Sequence, residues 1–134
     1  MRIVPDANVI VAAFAARGLC ESLFEHCLGS HDILLSKPLL DEVSRNLSRK
    51  VKLDRRTVED IQRLLRKSGP VLQPASVAPD ACRDAADLHV LGLAKSGKAD
   101  YIVTGDDDLL TLKRFGRCRI VTPRQFWSLS QRPK

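Results

Sequence analysis

Asp6, Glu42, Asp87 and Asp106 are the side chains with which this sequence could do chemistry. Asp6 closes the short apolar run RIVP, and Asp106 follows the run YIVT across one glycine. Aspartate is common in turns, where its side chain bonds local backbone. Either residue alone would be ordinary, but two acids at matching ends of two apolar runs form a pattern. Asp87 is the most informative. In a helix over 84–96, Asp87, Val90, Leu91 and Ala94 fall at i, i+3, i+4 and i+7, the spacing of a core-facing stripe. An ionised carboxylate there is costly unless paired or bound to a metal. A first-turn acid favoured by the helix dipole, with Asp84 as the cap, is the competing explanation, yet dipole effects do not require the inward face. Glu42 flanks the stripe Leu39, Leu40, Val43 and Leu47, a position that suits a ligand and a surface acid equally. Asp41 points further toward solvent, and Asn46, one turn on, could share the site of Glu42. Asp106, Asp107 and Asp108 set three like charges in a row. Asp108 is expected to cap a helix there, with a nearby metal offsetting the repulsion.

Several carboxylates without a usable histidine suit a hard divalent cation such as magnesium or manganese, which prefers oxygen ligands. Water bound to such an ion becomes a nucleophile near neutral pH, and paired ions ~3.5–4 Å apart stabilise the attacking and leaving oxygens of a displacement. His26 falls in a helix, His31 in a loop, and His89 points away from the Asp87 stripe, so none is expected to take part.

Such acids must be presented by strands that end at them. Apolar runs predict strands over 2–5, 32–36, 101–104 and 119–121, with a short strand at 71–72 inside the proline-bearing loop 69–80. Helical periodicity covers about 8–16, 20–28, 39–47, 57–67, 84–96, 108–113 and 123–129. Gly18 separates the first two helices, Pro38 suits the first turn of the third, and Val58, Ile61, Leu64 and Leu65 share one face of the fourth. Thr122 and Pro123 supply the cap and first residue of the last. Short apolar strands alternating with helices argue for an α/β protein whose parallel sheet is covered on both faces. In such sheets the ligand site lies at the carboxyl ends of the strands.

The 134 residues fit one domain, expected over 1–134, and 44% hydrophobic with 28% charged residues is the balance of a soluble globular chain. No apolar run approaches the ~20 residues of a membrane span. The opening MRIVPDANVIVAAFAARG is broken by Asp6 and Asn8 and reads as a strand rather than a signal peptide, so a cytoplasmic location is expected. The four cysteines, Cys20, Cys27, Cys82 and Cys118, form no C-x-x-C pair; reduced, buried thiols are expected and a structural zinc is not. Net charge is +6, and its whole excess lies between Arg45 and Lys67, where nine Lys/Arg face three Asp/Glu against thirteen of each elsewhere. A localised basic surface is what meets phosphate backbones, although a charge run alone is more often a solvated helix face.

The motifs that carry these acids resemble those of a known family. PDANVIVAA resembles the D-x-N-V/I opening of PIN domains, LLSKPLLDEV their second motif, DLHVLGLAKSGKADYIVTGDDDLL the third and fourth, and RIVTPRQF the closing I-x-T-P-x-x-F. They occur in the family's order over nearly the whole chain, most specifically in ADYIVTGDDDLL. Within that family they resemble the VapC-like branch, toxin components of toxin–antitoxin pairs. The resemblance implies a three-layer α/β/α sandwich around a mostly parallel sheet of about five strands. It implies magnesium- or manganese-dependent endoribonuclease activity, RNA as substrate, a homodimer and a protein antitoxin. It places Asp6, Glu42, Asp87 and Asp106 on the family's acidic residues, Asp108 on a frequent fifth acid, and Asn8 and Thr104 on polar neighbours of the site. Arg45, Arg49, Lys50, Lys52, Arg55 and Arg56 would then contact RNA, with Lys113, Arg114, Arg117 and Arg119 as a second contact. Two departures stand out. Pro5 replaces an aliphatic strand residue, which would end the first strand early, and Ala85-Ala86 replaces Pro-Asp, removing one auxiliary acid.

Two other functions are compatible with parts of this pattern. An RNA-binding or regulatory protein of the same fold that cuts nothing would bind metal without turnover. A phosphoacceptor signalling domain would need an acceptor aspartate after a central strand and a lysine after a late one. DILLSKP ends instead in Ser36, and RIVTPRQ offers no lysine.

Overall fold

A computed structural model describes residues 1–15 and 19–131, with backbone alone at Leu19 and Cys20. Five strands, β1 (Arg2–Pro5), β2 (Asp32–Ile33), β3 (Tyr101–Val103), β4 (Arg114–Phe115) and β5 (Cys118–Val121), form one sheet in the order β2-β1-β3-β5-β4. β1 pairs in parallel with β2 and β3, and β3 with β5; only β4 runs antiparallel, against β5. Among the described residues seven α-helices flank the sheet: α1 (Ala7–Ala15), α2 (Leu19–Ser30), α3 (Lys37–Arg49), α4 (Arg55–Ser68), α5 (Leu88–Gly97), α6 (Asp107–Leu110) and α7 (Pro123–Ser130). This is the α/β fold, mostly parallel and three-layered, that the sequence implied.

Register decides where the site lies. Pro5 pairs with Val103 and Val103 with Val121, so the three central strands end level. Their residues Ile3, Val4, Ile102, Val103, Ile120 and Val121 point alternately to the two faces and are all buried, and the burial of each large side chain contributes roughly 1.5–3 kcal/mol. Ser36 caps α3 by accepting from the Leu39 amide at 3.2 Å. Leu39, Leu40, Val43 and Leu47 form its buried stripe as the periodicity indicated. Asp54 caps α4, accepting from the Thr57 amide at 2.7 Å. Thr122 and Gln125 close a reciprocal capping box on α7.

The structure differs from the sequence reading in several places. Pro5 does not end β1 early. The carbonyls of Met1 and Ile3 accept from Asp32 and Leu34 on the β2 side, whereas the Arg2 carbonyl and Asp6 amide face β3. Pro5 therefore turns its nitrogen toward β2, beyond the last paired residue Ile33, where no ladder bond is lost. The strand expected over 32–36 shrinks to Asp32–Ile33, and the short strand at 71–72 is a single parallel bridge between Leu35 and Val71. The helix expected over 84–96 opens instead with a 3-10 turn, Ala85–Asp87. That over 108–113 stops at Leu110; Lys113 adopts φ 63°, and its carbonyl accepts from Ile120 to start the unforeseen β4. Leu64 lies off the buried face of α4, 46% exposed. Ala16 and Gly18 lie outside the described residues. Cys27, Cys82 and Cys118 are free and buried, as expected. Among the described residues no helix is long and apolar enough to cross a membrane.

Candidate metal centre

The level strand ends bring two acids together through one hydroxyl. Asp6 follows β1 directly; its Oδ1 accepts from the Ala7 amide at 2.8 Å and its Oδ2 from Thr104 Oγ1 at 2.7 Å. Thr104, fully buried, also accepts from the Asp106 amide at 3.0 Å. The threonine thus ties the end of β1 to the loop after β3. Asp106 Oδ1 accepts from the Asp108 amide at 2.8 Å. Asp106, not Asp108, is therefore the cap of α6. Its backbone is extended, whereas Asp108 already lies in the first turn, and only a residue before that turn can reach its free amides.

Asp87 is only 8% exposed, and its Oδ2 has no hydrogen-bond partner. It makes no capping bond; Asp84 does, accepting from the Ala86 amide at 3.0 Å. Asp84 as the cap and Asp87 in the first turn agree with the competing explanation, but neither accounts for the burial of Asp87. Ligand oxygens of Asp84, Asp87 and Asp108 lie within 4.8 Å of one another. Burial first, then the charge of Asp106, pushes the Asp87 carboxyl up to about 7, and Asp6 and Asp84 add to the rise. Asp106 lies close enough that a proton shared with it would act in the same direction, because two carboxyls can share a hydrogen bond only while a proton stays between them. Asp6 is also raised, chiefly by burial, with the Thr104 and Ala7 hydrogen bonds opposing and Glu42 and Asp106 adding. The Cys82 thiol is raised by burial and by the charges of Asp87, Asp108 and Asp106. Asp6, Glu42, Asp87 and Asp106 therefore share one electrostatic neighbourhood, with Asp84 and Asp108 at its side.

Glu42 reaches this rim from α3, and there His89 meets it: His89 Nε2 lies 3.3 Å from Glu42 Oε1. His89 lies off the Asp87 stripe, but the expectation that it takes no part is corrected by this contact with Glu42. α3 packs close enough to α5 to bring Glu42 to the ring. Asn46 Nδ2 donates to Asn8 Oδ1 at 3.3 Å, so its partner is Asn8. Sequence reasoning took Asp84 for a cap alone and set His89 aside. The spacing of Asp84 three residues before Asp87 was the available signal for the first. Nothing within the α5 sequence reports a contact made across to α3.

An all-oxygen set of acids with an unpartnered buried oxygen fits a hard divalent cation better than a soft one. A family model for the PIN domain matches residues 2–108. The chain belongs to the PIN-domain family. PIN domains are generally nucleases that use divalent metals, and the matched span contains all six acids of this rim. None of the curated proteins compared with the chain matches it.

Of the residues expected to contact RNA, Arg45 lines a cleft with Glu42 and His89. Arg49, Lys50, Lys52, Arg55 and Arg56 are exposed at the end of α3, on the connection and at the start of α4. Arg55 is paired with Glu59 at 3.1 Å. The turn carrying Arg117 lies at the start of β5, on the rim opposite the acids.

Proposed function

We propose that this chain is a magnesium- or manganese-dependent endoribonuclease acting through Asp6, Glu42, Asp87 and Asp106. The observation that carries the reading is Asp87: a buried carboxylate oxygen without a partner, among other acids, at the rim where parallel sheets bind ligands. Asp6, Asp87 and Asp106 would hold the metal, Asp108 and Asp84 would complete its shell, and Glu42 would hold a second ion or orient the attacking water. A bound ion supplies a water of lowered pKa and stabilises charge on the leaving oxygen. Thr104 keeps Asp6 and the Asp106 backbone in place, and Asn8 with Asn46 borders the site. Exposed Arg45, Arg49, Lys50, Lys52, Arg55 and Arg56 would take the RNA backbone.

The motif resemblance supports a finer reading: a VapC-like toxin, cytoplasmic, homodimeric, neutralised by a protein antitoxin. A single domain over 1–134 is proposed, supported as far as α7 by Phe126, which is wholly buried in the core. Cleavage of a labelled RNA mixture in manganese, magnesium and EDTA, alongside Asp87→Asn, tests the activity; cleavage that persists in EDTA or in the variant refutes it. The absent acid at Ala85-Ala86 favours a second reading, an RNA-binding protein that cuts nothing. Metal and RNA binding without turnover of any RNA would decide for it.

A further inference from the structure

The acids occupy one side of the rim; beside them α3 and the start of α5 enclose a cleft of about 470 Å³. Glu42 and His89 line it, with Lys37, Arg45, Pro38 and Ala86 around them. The two side chains of the Glu42–His89 pair are 26% and 20% exposed, so the pair is mostly covered yet open to the cleft. A carboxylate can only accept a hydrogen bond, so His89 Nε2 carries the hydrogen that it shares with Glu42. His89 Nδ1 is buried and has no partner. An unpaired buried ring nitrogen is unfavourable, so the ring is held where it is by packing and by Glu42, not by a second polar contact of its own. The cations differ in availability. Lys37 is engaged by Asp41 at 2.9 Å. Arg45 is exposed and has no carboxylate within 4.0 Å among the described residues, and its planar fork matches a phosphate. The small side chains Pro38 and Ala86 leave the mouth open.

Resting on the nuclease reading above, we propose that this cleft is the subsite for the stretch of RNA strand adjoining the cleaved bond, with Arg45 contacting its phosphate and His89 positioning Glu42 at its wall. The cleft is large enough for one nucleotide and opens directly onto Glu42. An RNA phosphate seated on Arg45 would lie on the same side of the rim as the acids. His89 touches no reacting atom in this scheme. It sets the direction of the Glu42 carboxylate by one hydrogen bond.

The test uses the full chain and a fluorescent single-stranded oligonucleotide that the wild type cleaves, or, if none is cleaved, a random-sequence oligonucleotide. Cleavage is followed in manganese, and binding by fluorescence polarisation in EDTA at several salt concentrations. Arg45→Gln is expected to raise KM about tenfold with kcat within twofold, the signature of lost uniform binding. It should also lower the slope of log affinity against log salt by about one. His89→Leu is expected to lower kcat at least tenfold with KM little changed, and His89→Gln, whose amide N–H can still reach Glu42, to restore most of it. Asp87→Asn, cleavage-dead on the nuclease reading, should bind the oligonucleotide as the wild type does. An unchanged KM and salt slope in Arg45→Gln would overturn the subsite, as would failure of the wild type to bind. Equal losses in His89→Leu and His89→Gln would overturn the positioning role. A chain that cleaves nothing but binds RNA with an Arg45-dependent slope keeps the cleft as an RNA-phosphate site, and refutes the nuclease reading and with it the positioning role of His89.

Discussion

The two halves of the acidic rim are built on opposite principles. On the β1 side, Asp6 is buried but satisfied: the Ala7 amide holds one oxygen and the Thr104 hydroxyl the other. On the α5 side, Asp87 is about as buried, yet its Oδ2 has no partner, and Asp84 and Asp108 crowd it with like charge. Hydrogen bonds offset burial in the first half, so Asp6 belongs to the folded frame whatever is bound. In the second half the folded chain leaves an oxygen unpaired, and only a proton or a cation can compensate it. The comparison separates what holds the site in shape from what the site is for.

The largest effect should come from removing the unsatisfied member. Asp87→Asn is expected to lower metal-dependent cleavage by about 10²–10³-fold, the scale of losing one preorganised electrostatic group. The melting temperature in EDTA should hold or rise. A clear fall in that temperature would mean that Asp87, too, is part of the frame. Thr104→Val attacks the other half. Losing the donor to Asp6 and the acceptor for the Asp106 amide should destabilise the metal-free chain by about 1–3 kcal/mol in urea unfolding; an unchanged midpoint would dissolve the contrast. Asp84→Asn keeps a capping side chain, so stability should stay put while manganese affinity, measured calorimetrically, falls roughly tenfold.

The smallest effect is pH dependence, and its sign follows from the raised carboxyls. Asp87 rises from 3.8 to about 7 on folding, so between those values the folded chain keeps a proton that the unfolded chain has lost. Its contribution to stability is full below about pH 4 and is lost as pH rises through about 7. Asp6 acts in the same direction. Melting in EDTA should therefore shift downward from pH 5 to pH 8, and Asp87→Asn should flatten most of that slope. Manganese binds the deprotonated site, so its apparent affinity should instead improve over the same range.

Much of this was legible in the residues. Burial of Asp87 followed from its place on the stripe with Val90, Leu91 and Ala94, because helical spacing alone assigns a face. The position of Asp6 and Asp106 at one rim followed from strands that end beside them. Pairings that depend on two distant segments were not legible. His89 was set aside because its own helix says nothing of α3. The capping role of Asp106 rather than Asp108 is hidden because a row of acids does not reveal which one retains extended backbone. β4 was missed because Arg114 and Phe115 pair only through the turn at Gly116, which adopts φ 60°.

The sequence by itself determined the layer architecture, the family and the identities of the acids, since periodicity, caps and motif order are local and survive without coordinates. Tertiary structure alone decided which acids are satisfied and which are not. Register brings Thr104 Oγ1 to Asp6, and the packing of α5 on β1 buries Asp87 while leaving its Oδ2 bare. Hydrogen bonds and desolvation depend on distances between elements far apart in the chain, and only their packing sets those distances.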